Sequence, residues 1–294
     1  MHPLIEQLIG QRPIITDGAW GTQLQARGLG IGELPDAMNL LRPDAVAEVA
    51  RAYVEAGSQI ILTNTFGSNR LRLADYSLAD KVVELNRRGV EISRNAAAGR
   101  AYVFASIGPS GKMLFSGEVS ESDLHEAFEE QAAAIAEANP DGIVIESMTD
   151  LQEALIAVEA VRKTGLPVVA CMVFDSGKDR DRTMMGVTPE QAASALEAAG
   201  ADVIGANCGR GIAGFALICA RLRAGTNRPI WLKPNAGLPE IVDGRPCYRT
   251  TPDEFARAVP ELVDAGASFV GGCCGTNPEF ISAIRQVLGR CAQA

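Results

Sequence analysis

Three of the seven cysteines stand in glycine-containing surroundings at two distant points of the chain. Cys208 lies in Asn207-Cys208-Gly209, and the adjacent pair Cys273 and Cys274 lies between Gly272 and Gly275. An odd cysteine count with no secretory pattern argues against a disulfide framework and for metal binding or catalysis. Three thiolates on one zinc leave a fourth position open, the arrangement of a catalytic and not of a closed structural site. Adjacent cysteines point to opposite faces of a regular strand, so both reach one ion only where the backbone leaves strand geometry. Gly271, Gly272 and Gly275 permit such a turn. Zinc held by three thiolates is electron-rich and suits a soft incoming sulfur, which loses its proton near neutral pH yet stays nucleophilic. The chemistry predicted is alkylation of a thiol. The competing reading makes the same residues small packing groups beside a phosphate loop of the kind barrels place after strands seven and eight.

Two carboxylates accompany the cysteines. Asp17 and Glu146 each close a short apolar run, and an acid at the rim of an apolar interior needs a cationic partner or a raised pKa. A substrate ammonium supplies that cation; a helix cap or an arginine partner is the plainer alternative for each. Gly18 and Ala19 follow Asp17, and backbone N–H groups after a tight turn form a nest for a substrate carboxylate. Together these features fit an amino acid with a thiol side chain.

Positioning such scattered residues requires a fold that gathers the ends of many elements. Eight short, largely apolar runs recur along the chain, at Pro13–Thr16, Gln59–Thr63, Tyr102–Ile107, Gly142–Glu146, Pro167–Val173, Asp202–Ala206, Pro229–Leu232 and Ser268–Gly271. Between them lie stretches of helical periodicity with clear starts, at Arg42-Pro43-Asp44, Ser120, Thr188-Pro189 and Thr251-Pro252, and with Gly57, Gly165, Gly200 and Gly266 after their ends. Eight strand and helix units without strict alternation in the strands predict an α/β fold, a single (β/α)8 TIM barrel with its active site at the C-terminal ends of the strands. A doubly wound open sheet is the fallback. A barrel of this kind takes about 250 residues in one piece, so residues 1–294 are expected to form one domain.

Composition narrows the partners. Lys plus Arg number 27 against 36 Asp plus Glu, a net charge of −9, which disfavours nucleic acid and anionic membrane surfaces. No run approaches the roughly 18 apolar residues of a membrane helix, and a cytoplasmic protein is expected.

The strand-end segments Ile15–Thr22, Thr63–Ser68, Ile145–Asp150, Gly205–Gly209, Pro234–Pro239 and Gly271–Thr276 resemble the homocysteine S-methyltransferase family. That family includes the homocysteine module of cobalamin-dependent methionine synthase, betaine-homocysteine methyltransferase and the S-methylmethionine-dependent enzymes. The resemblance runs from about Ile14 to Ile284, and the two cysteine motifs are its most specific part. It implies zinc held by Cys208, Cys273 and Cys274, with Asp17 and Glu146 on the amino group of homocysteine and Gly18 and Ala19 on its carboxylate. Thr65 and Asn235 lie in family motifs that line the same mouth. Cys171, Cys219, Cys247 and Cys291 match no ligand position and are expected to be bystanders.

The donor of the methyl group is less determined. A betaine or sulfonium donor needs an aromatic cation-binding surface, and aromatic residues make up 5% of the chain. Where the betaine enzymes carry aromatic residues this chain has Gly67-Ser68 and Ser147, leaving Trp20 as one wall. The Pro234–Pro239 segment is closer to the cobalamin-dependent module. The first expectation is therefore a free-standing homocysteine module that takes its methyl group from a corrinoid on another chain, and the second a sulfonium such as S-methylmethionine. A betaine-type donor, a different thiol acceptor, or a non-catalytic zinc barrel within a corrinoid system are the alternatives.

Overall fold

Eight parallel strands close on themselves in the computed structural model, which describes residues 1–242 and 245–291. In chain order they are β1 (Ile14–Ile15), β2 (Ile60–Leu62), β3 (Tyr102–Ile107), β4 (Gly142–Met148), β5 (Val168–Met172), β6 (Val203–Cys208), β7 (Ile230–Pro234) and β8 (Ala267–Val270). Each pairs with the next, β8 returns to β1, and a bridge between Thr16 and Ile60 joins β1 to β2. The result is the expected (β/α)8 barrel, not the open sheet.

Alternate residues of these strands enter two separate apolar layers, which is why the strands lack polar alternation. Ile61, Val103, Ile145 and Leu232 face the surrounding helices, whereas Ile60, Phe104, Val144 and Trp231 fill the barrel interior. Trp231 dominates that interior, stacked on Phe104 at 6.2 Å between ring centres and tilted against Phe269 at 5.2 Å. Gly205 lies beside it because a Cβ there would stand 2.2 Å from the Trp231 carbonyl oxygen. Ile5 and Leu8, from a helix at Pro3–Ile9 that the periodicity did not predict, join the same interior cluster.

Two residues further along β3, β4 and β7 the inward positions turn polar, since side chains on one face recur with period two. Ser106 follows Phe104, Glu146 follows Val144 and Lys233 follows Trp231. The apolar floor thus carries a polar layer directly above it, at the C-terminal end.

The helix signals hold. Ser120, Thr188 and Thr251 each form a capping box at the start of a helix, worth about 1 kcal/mol apiece. Gly57 and Gly200 cap helix ends in the left-handed conformation, at φ 106° and 100°. The strand ends differ from expectation. β4, β6 and β7 run past Glu146, Ala206 and Leu232, because backbone pairing continues where side chains become polar; Asn207 pairs with Lys233 and Cys208 with Pro234. An antiparallel hairpin, Glu240–Val242 with Arg245–Cys247, follows β7 and was also not predicted. Among the described residues no helix is long and apolar enough to cross a membrane.

Candidate active site

Cys208, Cys273 and Cys274 converge over the barrel mouth, their sulfur atoms all within 4.8 Å of one another, with Cys208 and Cys273 at 3.1 Å. Backbone geometry brings them there. Cys208 ends β6 at φ 62° and Gly209 follows at φ 70°, a left-handed pair that turns the chain back and is costly for a residue with a side chain. Cys273 N–H donates to the Pro234 carbonyl at 2.8 Å, Ala236 N–H to the Cys274 carbonyl at 2.9 Å, and Asn235 N–H to the Cys208 carbonyl at 3.1 Å. The loops after β6, β7 and β8 are therefore laced together, and the adjacent cysteines leave strand geometry as expected.

Asn207 organises the sulfurs from behind. Its side-chain N–H donates to Cys208 Sγ at 3.4 Å, Cys273 Sγ at 3.8 Å and Ser147 Oγ at 2.8 Å, while its carbonyl accepts from Ser147 N–H at 2.7 Å. Ser147 has φ 62° at a register shift between Ile145 and Met148 in β4, a bulge of the sort that re-aims side chains beside sites. Hydrogen bonding with Cys273 and Cys274, then burial, raises the Cys208 thiol well above its ordinary range, and bonds with Cys208 and Cys273 pull Cys274 down to about 3. Sulfurs packed this closely ionise together only when a cation shares them. One tetrahedral zinc with Zn–S bonds of about 2.3 Å, and sulfurs therefore about 3.8 Å apart, matches the set with small adjustments.

Glu146 lies beside the thiols, 9% exposed, with one oxygen accepting from Ser106 Oγ at 2.6 Å. Burial raises its carboxyl to about 7, against the pull of Lys233. Asp17 is fully buried and does not line the cavity. The cation it was expected to need comes from the chain itself: Lys233 Nζ is 2.5 Å from Asp17 Oδ1, and Trp20 Nε1 and Leu62 N–H each donate to Oδ2 at 2.7 Å. Burial disfavours the Lys233 charge, but Asp17 and Glu146 outweigh it and hold its pKa above the ordinary value. Lys233 was not singled out from the sequence, although a lysine following the apolar run of β7 was the available signal.

The other expected residues divide. Gly18 and Ala19 line the cavity; a Cβ on Gly18 would lie 2.7 Å from Thr276 Oγ1, and Ala19 N–H already donates to that hydroxyl at 3.1 Å. Thr22 also lines it, with a buried hydroxyl that has no partner among the described residues. Thr65 lies under the lining, its hydroxyl bonded to Thr63 and to the Ser106 carbonyl. Asn235 lies outside the lining too, its side-chain N–H donating to the Gly209 carbonyl at 2.7 Å and its side-chain oxygen buried without a partner among the described residues. Of the four remaining cysteines, Cys171 and Cys219 are buried away from the cluster and Cys247 is exposed on the hairpin; the Cys291 side chain lies outside the described residues. The cavity holds about 480 Å³ and extends from the thiols past Trp20 and Phe66 to Asp36, Arg72 and Tyr76.

Residues 14–288 match the family model for homocysteine S-methyltransferase. The chain is 32% identical to a methionine synthase of Mycobacterium leprae over 97% of its length and 33% identical to one of Mycobacterium tuberculosis over 93%. It spans about a quarter of the length of these two relatives, 25% and 24%. Its fold matches the metallated form of the homocysteine methyltransferase MmuM from Escherichia coli with a TM-score of 0.80 at 22% identity, covering 96% of this chain and 99% of that one. The chain belongs to the homocysteine S-methyltransferase family.

Proposed function

We propose that this protein transfers a methyl group to the sulfur of homocysteine, giving methionine, with zinc held by Cys208, Cys273 and Cys274. The observation that carries the reading is the convergence of three thiols beside a buried carboxylate in one cavity. Zinc bound there supplies the position at which a substrate thiol loses its proton and remains nucleophilic.

The chain's own residues do the rest. The second carboxylate oxygen of Glu146 receives the substrate ammonium. Lys233 neutralises Asp17 beneath it, so that a single negative charge faces the substrate. The N–H of Gly18 and the unpartnered hydroxyl of Thr22 hold the carboxylate. Asn207 keeps Cys208 and Cys273 oriented through its N–H bonds to their sulfurs. With both ends of the amino acid fixed, its sulfur is confined for in-line attack on a methyl carbon, and the neutral thioether formed binds weakly and leaves.

A donor carried in trans by a corrinoid protein draws support from one surface feature. Phe66, Met113, Phe115, Met184, Met185 and Leu238 are exposed apolar residues, all in loops at the C-terminal face where such a partner would sit.

Metal analysis and a donor panel test the reading. One zinc per chain is expected, with methionine detected by mass spectrometry when homocysteine is supplied with methylcobalamin, S-methylmethionine, betaine or methylfolate. Cys208→Ala is expected to lose zinc and nearly all transfer. No methionine from any donor, or full transfer by Cys208→Ala, overturns it.

A further inference from the structure

The turn at the acceptor end of the cavity follows β1, the loop that carries two of the three thiols follows β8, and one hydroxyl joins them. Thr276 is fully buried and does not line the cavity. Its Oγ1 accepts from Ala19 N–H at 3.1 Å and donates to the Cys273 carbonyl at 2.8 Å, and its own N–H donates to that carbonyl at 3.1 Å. A hydroxyl carries a single proton, so the bonds run one way, from the turn through Thr276 to the peptide of a thiol-bearing residue. The two segments meet at a separation that only glycine allows: a Cβ would stand 2.7 Å from Oγ1 on Gly18 and 2.5 Å from it on Gly272. From the helix Pro43–Ala56 behind the turn, fully buried Tyr53 donates to the Ala19 carbonyl at 2.6 Å. Ala19 therefore has both backbone polar groups engaged within the chain, which leaves the substrate carboxylate to Gly18 and Thr22.

We propose that Thr276 is a positioning residue that couples binding of the amino acid to binding of zinc, an inference that rests on the proposed function for what fills the two places. A carboxylate drawn onto Gly18 holds the turn, and with it the Ala19 N–H that orients the Thr276 hydroxyl toward Cys273. The Cys273 peptide is held from the other side when its thiolate is on zinc, so the carbonyl stays where the hydroxyl reaches it. Hydrogen bonds in such a chain strengthen one another. Gly272 N–H adds a backbone bond to the Asp17 carbonyl at 3.1 Å, which keeps the two segments in register but contains no side chain that could be tuned. Coupling between two ligands is reciprocal, so the metal tightens the amino acid by the factor with which the amino acid tightens the metal. Thr276 touches neither ligand and acts only through the peptides on its two sides.

The probe is L-norleucine, which has the shape of methionine with a methylene in place of sulfur and so makes no bond to zinc. Titration calorimetry on the full chain, with its thiols kept reduced, compares zinc-loaded with metal-stripped protein, and chelator competition with and without norleucine reads the reciprocal factor. Wild type is expected to bind norleucine at least fivefold more tightly when loaded. Thr276→Val keeps the shape and removes the hydroxyl, and the ratio of the two affinities is expected to fall at least threefold; Thr276→Ser keeps the hydroxyl and should keep the ratio. Tyr53→Phe loosens the turn without touching the shared hydroxyl, so it should weaken norleucine in both states and leave the ratio unchanged. Thr276→Ala takes the place of valine if circular dichroism shows that valine does not fold. A wild-type ratio below fivefold, a fall of less than threefold without the hydroxyl, or an equal fall in Tyr53→Phe overturns the coupling through Thr276. Wild type that binds none of norleucine, methionine and homocysteine, loaded or stripped, overturns the acceptor reading itself.

Discussion

Lys233→Met removes the one ammonium that stands against Asp17 among the described residues, while keeping an unbranched stem of similar length. Asp17 is fully buried and would retain two N–H donors, from Trp20 and Leu62, but no counter-charge. Leaving one member of a buried pair uncompensated costs about 3–5 kcal/mol, a large share of the roughly 5–15 kcal/mol that stabilises most proteins. The double variant Asp17→Asn with Lys233→Met keeps an acceptor for Trp20 and Leu62 and removes the stranded charge, so it should recover about 2 kcal/mol or more of that loss. Glu146 shifts as well. Lys233 holds its carboxyl down to about 7; without Lys233 it rises further and is largely protonated at neutral pH, which weakens its hold on a substrate ammonium. Urea unfolding at pH 7.5 of wild type, both single variants and the double variant reads the stability cycle, and methionine titrations read the second effect. If Lys233→Met stays within about 1 kcal/mol of wild type, or the double variant is no more stable than Lys233→Met, Asp17 does not carry the stranded charge and the argument fails.

Glu146 ties ligand affinity to pH. A carboxylate must be ionised to hold an ammonium, so methionine affinity in the wild type should fall about tenfold per unit below pH 7, measured by calorimetry on protein stripped of metal. Glu146→Gln should bind about 10–100-fold more weakly at pH 8 and lose the dependence, and a flat wild-type profile contradicts this. For Asp36, the folded carboxyl at about 6 lies above its ordinary 3.8, so stability is lowest above pH 6 and rises as pH falls toward 4. Asp36→Asn should be more stable than wild type by up to about 3 kcal/mol at pH 8 and should lose that advantage near pH 4; equal denaturation midpoints at pH 8 would count against the buried charge. Asn207→Ala should weaken zinc binding about 10–100-fold in chelator competition without a matching loss of fold by circular dichroism, and an unchanged zinc affinity removes Asn207 from its orienting role.

Much of the molecule was legible before any coordinates. Helix starts at Ser120, Thr188 and Thr251 follow from local hydrogen bonds within four residues, and Gly57 and Gly200 from a conformation that only glycine adopts cheaply. The eight strands and their barrel closure follow from the repeat of apolar runs, since a sheet covered by helices on the outside and packed on itself inside has no polar face to show. Residue type and position at strand ends named Cys208, Cys273, Cys274 and Glu146, because barrel topology alone brings those ends together. The Pro3–Ile9 helix and the pairing of Glu240–Val242 with Arg245–Cys247 escaped, being short elements whose stability comes from what they pack on or pair with.

Tertiary structure decided what sequence order cannot encode, which is who stands next to whom across the mouth. Asp17 and Glu146 looked alike as lone acids ending apolar runs; only the approach of Lys233 from the seventh strand makes one a paired, buried anchor and leaves the other facing the cavity. Asn207 and Ser147 gained their roles from a bulge and a left-handed turn on neighbouring strands. The aromatic wall that 5% aromatic content seemed too sparse to build forms because Trp20, Phe66 and Tyr76 come from two different loops to one space. Composition counts residues, while binding depends on their convergence, and the long-range contacts that set convergence leave no local pattern in the chain.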